Sequence, residues 1–504
     1  MSHPLRAQRI SPETLPDPGI TGFRFPESEA TLTSWITAMT RGAGTTGTPT
    51  PTEKIALQGW GIWTAVTAET GQIYEGQRLR VFETWLTTDE LSDPAIERSV
   101  SALALTPRRR APLRDLDQLQ PRGGVAGVSA RAVGENPIER IAGFVKFDPS
   151  AADHILRQRL LDATALDALL QGGAQQIPAF PASALVVKPV FQIIKGADLV
   201  AGRYYSLKVW PGPPEVAQPW GPTQWPGGVW IDLFDGGSGR GAIDEAPSAD
   251  GSTRTDDNTY SLSGLIHYRL SAGDAAALNA AKPGTSAAPG DVAILVAMHV
   301  AGREIARWTW HTFWWTPTPE NPPAPSSTAV AAQRPAQLHG AARHYAMALA
   351  YTMLTPDQPY VGGENAGAAV YAYNPWIEAR FSSADLPDSQ PGFDPAGRPA
   401  DNNCGVQTNC MSCHAQATYN PNKRVTAPRF TGARYVDLID PQYVGTLQTD
   451  GLWVSPRHAK VRSESTAASL LPFAELDSAQ GAAPANRFSA PDFSPSPNRK
   501  FLQP

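Results

Sequence analysis

Residues 410–414 read CMSCH, two cysteines three positions apart with a histidine directly behind the second. Paired thiols on one turn followed by an imidazole form the attachment pattern for c-type haem. The spacing follows from the chemistry. The thiols of Cys410 and Cys413 add to two vinyl groups on one rim of the macrocycle. Met411 and Ser412 let the chain turn as the start of a helix, and His414 projects over the ring face, where its imidazole binds iron. Thr408 or Asn409 is placed to cap that helix.

Two other chemistries use the same residue types. A redox CxxC wants a strand before it and a βαβ surround, whereas this one lies among Asn, Gln and Pro. A structural zinc site drawing on Cys404, Cys410, Cys413 and a histidine has enough ligands, but adjacent Cys413 and His414 make simultaneous tetrahedral ligation awkward. The spacing therefore predicts one covalent haem c, attached at Cys410 and Cys413, with His414 as an iron ligand.

A second axial ligand has to be found elsewhere, because no methionine follows Met411. His299 is the first choice, on a strand face whose other residues are mostly small, where a flat ring could approach. That choice makes a bis-histidine centre. Met298 points to the Val/Ile face and suits core packing. His344, Met347 and Met353 precede the motif on a stretch read as helix; His311 lies on the partner strand, and His458 follows the motif. A missing methionine lowers the haem potential relative to Met/His ligation, and an unfilled position opens the iron to small ligands.

The elements that must position these groups come from a 504-residue chain with only 18% charged residues and 91 prolines and glycines, 48 and 43 respectively. That balance favours strands, turns and ordered loops, so the expected fold class is mainly β, an antiparallel sandwich-like region followed by a helix-plus-loop region carrying the motif. Strands are expected at GWGIWTAVTA, RLRVFETWLTTDEL, ASALVVKPVFQII, RYYSLKVWP, GVWIDLF and TYSLSGLIHYRLSA. The clearest hairpin is DVAILVAMHV–AGRE–IARWTWHTFWW. Helices are expected at 31–40, at 150–171 with Ser150 as N-cap, and at AQLHGAARHYAMALAYTML.

The expected organisation is an extended tail over 1–30 and one or two β domains over 31–316. A Pro/Ser/Ala linker follows over 317–335, then the haem region over 336–482 and a second tail over 483–504. Arg108 to Arg110 read as a solvated patch.

With a net charge of −5 and no basic run, nucleic-acid binding has no electrostatic support, and the longest apolar stretch, VAILVAMHVAG, is too short to span a bilayer. The N-terminus lacks the charged start and apolar stretch of a signal peptide, although haem attachment of this kind takes place outside the cytoplasm in bacteria. The expectation is a periplasmic or otherwise extracytoplasmic location, with the chain beginning downstream of its export signal.

The stretches AMHV, REIARWTWHTFWW, YNPWIEARF, TNCMSCHAQA and LQTDGLWVSP, with FETWLTTDEL and ALVVKPVFQI upstream, resemble those of long bacterial cytochrome c family proteins. The resemblance implies one covalent haem at Cys410 and Cys413, axial His414, and His299 as a further ligand. The expected activity is electron transfer with a redox partner protein. The alternatives are a haem c oxidoreductase, peroxidase-like, or a haem-based ligand sensor, either using the β region as a pocket. No GxSxG, HExxH or phosphate loop is present, and DGGSGRG at 235–241 reads as a hairpin turn, so no small-molecule substrate is identified.

Overall fold

The computed structural model describes residues 10–40, 50–93, 141–282, 284–381, 405–422 and 432–453, together with 108, 110–111, 113–115, 392–393, 399–400 and 428. All of these belong to one compact unit, Met1–Val461; the second unit, Arg462–Pro504, lies outside the described residues, as does the expected C-terminal tail.

The protein is β-rich, with several antiparallel sheets. Its spine is a sheet of nine strands in which every pairing is antiparallel. Four of them carry the site: β1 (Leu185–Ile194), β2 (Val292–Gly302), β3 (Thr309–Trp315) and β4 (Tyr345–Ala350), adjacent in the order β4-β3-β2-β1. All four are almost wholly buried, which explains why their sequences read as near-continuous apolar runs. Short strands at 141–143 and 146–147 extend the sheet beyond β1. A smaller sheet of 204–208, 228–232 and 259–261 mixes an antiparallel and a parallel pairing.

Strand register fixes two opposite faces. His299 on β2 pairs with Thr312 on β3 and Lys188 on β1, so these three side chains share a face with Ala297, Ala301, Trp310 and Trp314. Ala346, Ala348 and Ala350 of β4 continue that face. The other face carries Met298, Val300, His311, Phe313 and Met347, and a helix covers it. Pro51–Val66 lays Trp63 on Phe313 with ring centroids 4.0 Å apart and planes 17° from parallel. The indole nitrogens of Trp60 and Trp63 donate to the carbonyls of Val330 and Ala342.

That helix corrects a sequence expectation. GWGIWTAVTA was expected as a strand because aromatic and β-branched residues dominate it. Upstream of it, however, Thr50 and Glu53 form a capping box and Pro51 occupies the first turn, and buried tryptophans three residues apart hold the helix to the sheet. FETWLTTDEL likewise forms two short capped helices, Val81–Thr84 and Thr88–Ser92, around a two-residue strand.

The helix expected over 150–171 breaks in two at Arg159, which adopts a left-handed conformation with φ of 55°. Its N-cap is Asp148 rather than Ser150; the carboxylate accepts from the Ala151 and Ser150 amides. Arg108 and Arg110 are buried rather than solvated, and Arg109 lies outside the described residues. Arg108 donates to Glu90 and to the Thr84 and Trp85 carbonyls, which compensates the burial of its charge.

AQLHGAARHYAMALAYTML is not one helix. A 3₁₀ turn at Gly340–His344 leads into β4, where alternating small residues add a strand to β3. The expected linker therefore lies within the sheet's own connectivity. Residues 317–335 receive hydrogen bonds from Trp60 and Trp210, and Arg334 reaches the Tyr345 carbonyl. Within the expected N-terminal tail, Ile10 and Ile20 are buried, and a helix, Glu29–Thr40, already begins inside it.

Candidate functional site

CMSCH forms one helical turn, Cys410–His414. Asn409 caps it: its side-chain oxygen accepts from the Ser412 amide, and its amide nitrogen donates to the Val370 and Thr352 carbonyls. Thr408, the other expected cap, instead pairs with Ala372 and Gly432 through its backbone. Ser412 is buried and donates to the Arg434 carbonyl. The turn is therefore anchored from both sides by the chain around 370 and 434, while Cys410 and Cys413 remain half-buried and outside any disulfide. Burial, with Glu378 and Cys413 nearby, pushes the Cys410 thiol well above its ordinary value. Its sulfur donates to the Ala372 carbonyl at 3.3 Å.

His414 is held on two sides. Its ring lies against Trp310, with centroids 4.0 Å apart, and its Nδ1 is 2.8 Å from the Gly451 carbonyl oxygen. With Nδ1 as the donor, Nε2 is the nitrogen with its lone pair available, the arrangement by which a backbone carbonyl orients a metal-binding imidazole. Burial takes the pKa of His414 down to about 3; the Gly451 carbonyl and Glu378 oppose this, while the charges of His299 and Lys188 reinforce it. The imidazole is thus neutral, as metal ligation requires.

Gly451 sits in a turn at φ of 77°, and Asp450 before it at 48°. That turn holds its shape because the Thr449 amide donates to Ala417 and the buried Asp450 carboxylate is tied to Arg303, Phe180 and Gln176.

Trp310 and His299 lie on the same sheet face, so the sheet brings His299 and the motif together. A tight turn at 374–381 completes the site. The Asn374 side chain donates to Thr312 Oγ1 and the Phe313 carbonyl, pinning the turn to β3, and the Asn374 amide donates to Glu378 Oε2. Glu378 Oε1 then lies 3.0 Å from His299 Nε2. Despite burial, His299 beside it and the Asn374 amide keep the Glu378 carboxyl below its usual range, so it is ionised. Gly405, just before the motif, touches this turn: an added Cβ would meet the Glu378 and Ala379 carbonyls. Glu378, Asp450 and Gly451 were missed by sequence reasoning, although YNPWIEARF and LQTDGLWVSP were both singled out. A carboxylate standing in an otherwise aromatic and apolar stretch was the available signal.

The other ligand candidates lie elsewhere. His311 faces the opposite side of the sheet, bonded to Tyr351 Oη at 2.8 Å and to the Val300 carbonyl, with burial lowering its pKa to about 4. Met298 and Met347 share that opposite face. Met353 accepts from Arg307, and His344 belongs to the turn before β4. Cys404 and His458 lie outside the described residues. Among the described residues no three His, Cys, Asp or Glu side chains converge to chelate a metal ion, and no helix is long and apolar enough to cross a membrane.

The residues present meet the requirements of a covalent haem: two thiols on one turn, an imidazole with Nδ1 already bonded, and a second imidazole on the same sheet face. They meet the bis-histidine requirement less directly, because Glu378 already occupies His299 Nε2. Comparison with family models, with curated proteins and with solved structures finds no match to this chain.

Proposed function

We propose that this chain is an extracytoplasmic monohaem c-type cytochrome, periplasmic or otherwise outside the cytoplasm, that works in electron transfer, with haem c held at CMSCH. Cys410 and Cys413 would hold the haem covalently through their sulfurs, and His414 would ligate its iron through Nε2. The observation that carries the reading is the Gly451 carbonyl on His414 Nδ1, which fixes both tautomer and ring direction for a metal on Nε2. When bound, haem c supplies a one-electron couple at its iron.

The surrounding residues have separate tasks. Trp310 packs against the His414 ring, with the two planes tilted by 35°, and covers one side of it. Asn409 holds the turn that spaces the two thiols. Glu378 holds the ring of His299, which strand register places on the same side of the sheet as Trp310. His299 is the candidate for a second iron ligand and would serve through Nδ1, or through Nε2 once freed of Glu378. The partner in this reading is a redox protein.

A second reading, a haem c oxidoreductase or ligand sensor, is favoured by one observation, the His299–Glu378 pair itself. An imidazole kept on a carboxylate would not ligate the iron through Nε2 and would lie near the site as a group able to exchange a proton with a bound ligand.

The deciding experiment expresses the protein in a host that matures c-type cytochromes. Haem that stays with the polypeptide through acid–acetone extraction supports the reading, and loss of all porphyrin refutes it. A six-coordinate low-spin visible spectrum favours the electron carrier; a high-spin spectrum that responds to carbon monoxide favours the second reading.

A further inference from the structure

Two loops beside the motif form a surface to which electron transfer assigns no residue by itself. Residues 356–366 and 437–446 are joined by a hydrogen bond from the Gly362 amide to Asp437 Oδ2, at 3.0 Å, and a second, from the Gly363 amide to Tyr435 Oη at 2.7 Å, ties the first loop to the residues just before the second. Together they expose Val444 (84%), Ile439 (63%), Val361 (42%) and Tyr360 (37%), four of the nine large apolar side chains exposed among the described residues. Such a concentration on two touching loops is unusual for a solvated surface. Tyr360 and Leu438 also wall a cleft whose other side is built by Ala415 and Gly451, which flank His414 directly. The apolar surface therefore borders the segment that holds the axial imidazole.

The charge pattern selects the partner. The same two loops carry Asp357, Glu364, Asp437 and Asp440 and contain no lysine or arginine. The cations beneath them are turned inward. Arg307 lies between the Tyr360 and Tyr435 rings with its guanidinium on the Pro359 and Tyr360 carbonyls, and Arg303 is bonded to Asp450. An apolar centre with an acidic rim complements a protein face with an apolar centre and a basic rim.

We propose that residues 356–366 and 437–446 dock a positively charged redox protein, which exchanges one electron with this chain: one iron is oxidised from the ferrous to the ferric state as the partner's centre is reduced, or the reverse. The proposal rests on the reading of the chain as a haem c protein, and it names that protein's partner by the chemistry of its face. Lipid surfaces, which are anionic, are repelled by the same rim.

The test uses the full holoprotein and a small, strongly basic cytochrome c as the probe. Haem retention after acid extraction is measured first, so failure of the haem reading is recorded separately. Binding is then measured by calorimetry, which does not depend on haem, and electron exchange by stopped-flow. Binding is expected to weaken as salt rises. Glu364→Lys weakens it about tenfold at low ionic strength, and Val444→Ser several-fold, both through exposed side chains. Phe234→Ser, an exposed apolar residue on the smaller sheet, leaves binding unchanged. Salt-independent binding, equal binding by Glu364→Lys, or tighter binding of an acidic redox protein overturns the proposal. Retained haem with no binding of the basic probe overturns the docking surface alone.

Discussion

Arg303 Nε lies 2.9 Å from the buried Asp450 Oδ2, and this largely buried pair fastens the turn bearing Gly451 to the residue that follows β2. The carboxylate also accepts from the Phe180 amide at 3.0 Å and from Gln176 at 3.3 Å. The carbonyl that orients His414 is thus fixed by a residue that never touches the imidazole.

Asp450→Ala leaves Arg303 and the Phe180 amide without their acceptor. The expected loss of stability is about 3–5 kcal/mol, the range for breaking a buried pair. Urea unfolding checks it. In the holoprotein the same substitution shifts the reduction potential, because the Gly451 carbonyl no longer holds Nδ1; a potentiometric titration reads this, and an unchanged potential removes Asp450 from the ring's support.

His299 and Glu378 are tested as a pair. His299→Ala converts a low-spin spectrum to a high-spin one if His299 supplies the second ligand, and an unchanged spectrum takes it out of the iron's coordination. Glu378→Gln keeps a hydrogen-bond partner but removes the charge. A low-spin spectrum that strengthens in Glu378→Gln shows the carboxylate competing with the metal for Nε2.

Gly405→Ala is expected to disturb the site from outside it. Its Cβ meets the Glu378 and Ala379 carbonyls, both backbone atoms unable to step aside. The cost is about 1–3 kcal/mol of overpacking. Because Gly405 joins the Glu378 turn to the motif, the yield of covalent haem falls together with the melting temperature; a full yield at normal stability contradicts the contact.

Glu304 sits in the core with its carboxylate accepting from Gln58, the Glu27 amide and Thr309. Burial raises its pKa from 4.5 to about 7. The native state therefore keeps a proton that the unfolded chain gives up at lower pH. The associated stability is present below the unfolded value and is lost as pH rises through about 7, by about 3 kcal/mol. Glu304→Gln, neutral at every pH, lacks this decline; unfolding free energies at about pH 5 and about pH 8 compare the two.

The local conformation of the motif is what the sequence by itself determined. The one-turn helix at CMSCH and a cap at Thr408 or Asn409 follow from residues within six positions of one another, the structure choosing Asn409, and the β-rich character follows from composition. The alternation along β2 likewise placed His299 among small residues before any partner strand was known.

Tertiary structure decided what surrounds the imidazoles. Glu378 lies 79 residues from His299, and Gly451 lies 37 from His414. Neither separation leaves a periodic trace, because such contacts arise from how turns dock on a sheet rather than from repeats along the chain. The same reason explains the helix at 51–66 and the strand at 345–350. Their aromatic, glycine and alanine content suits either state alone, and packing against β3 chose between them.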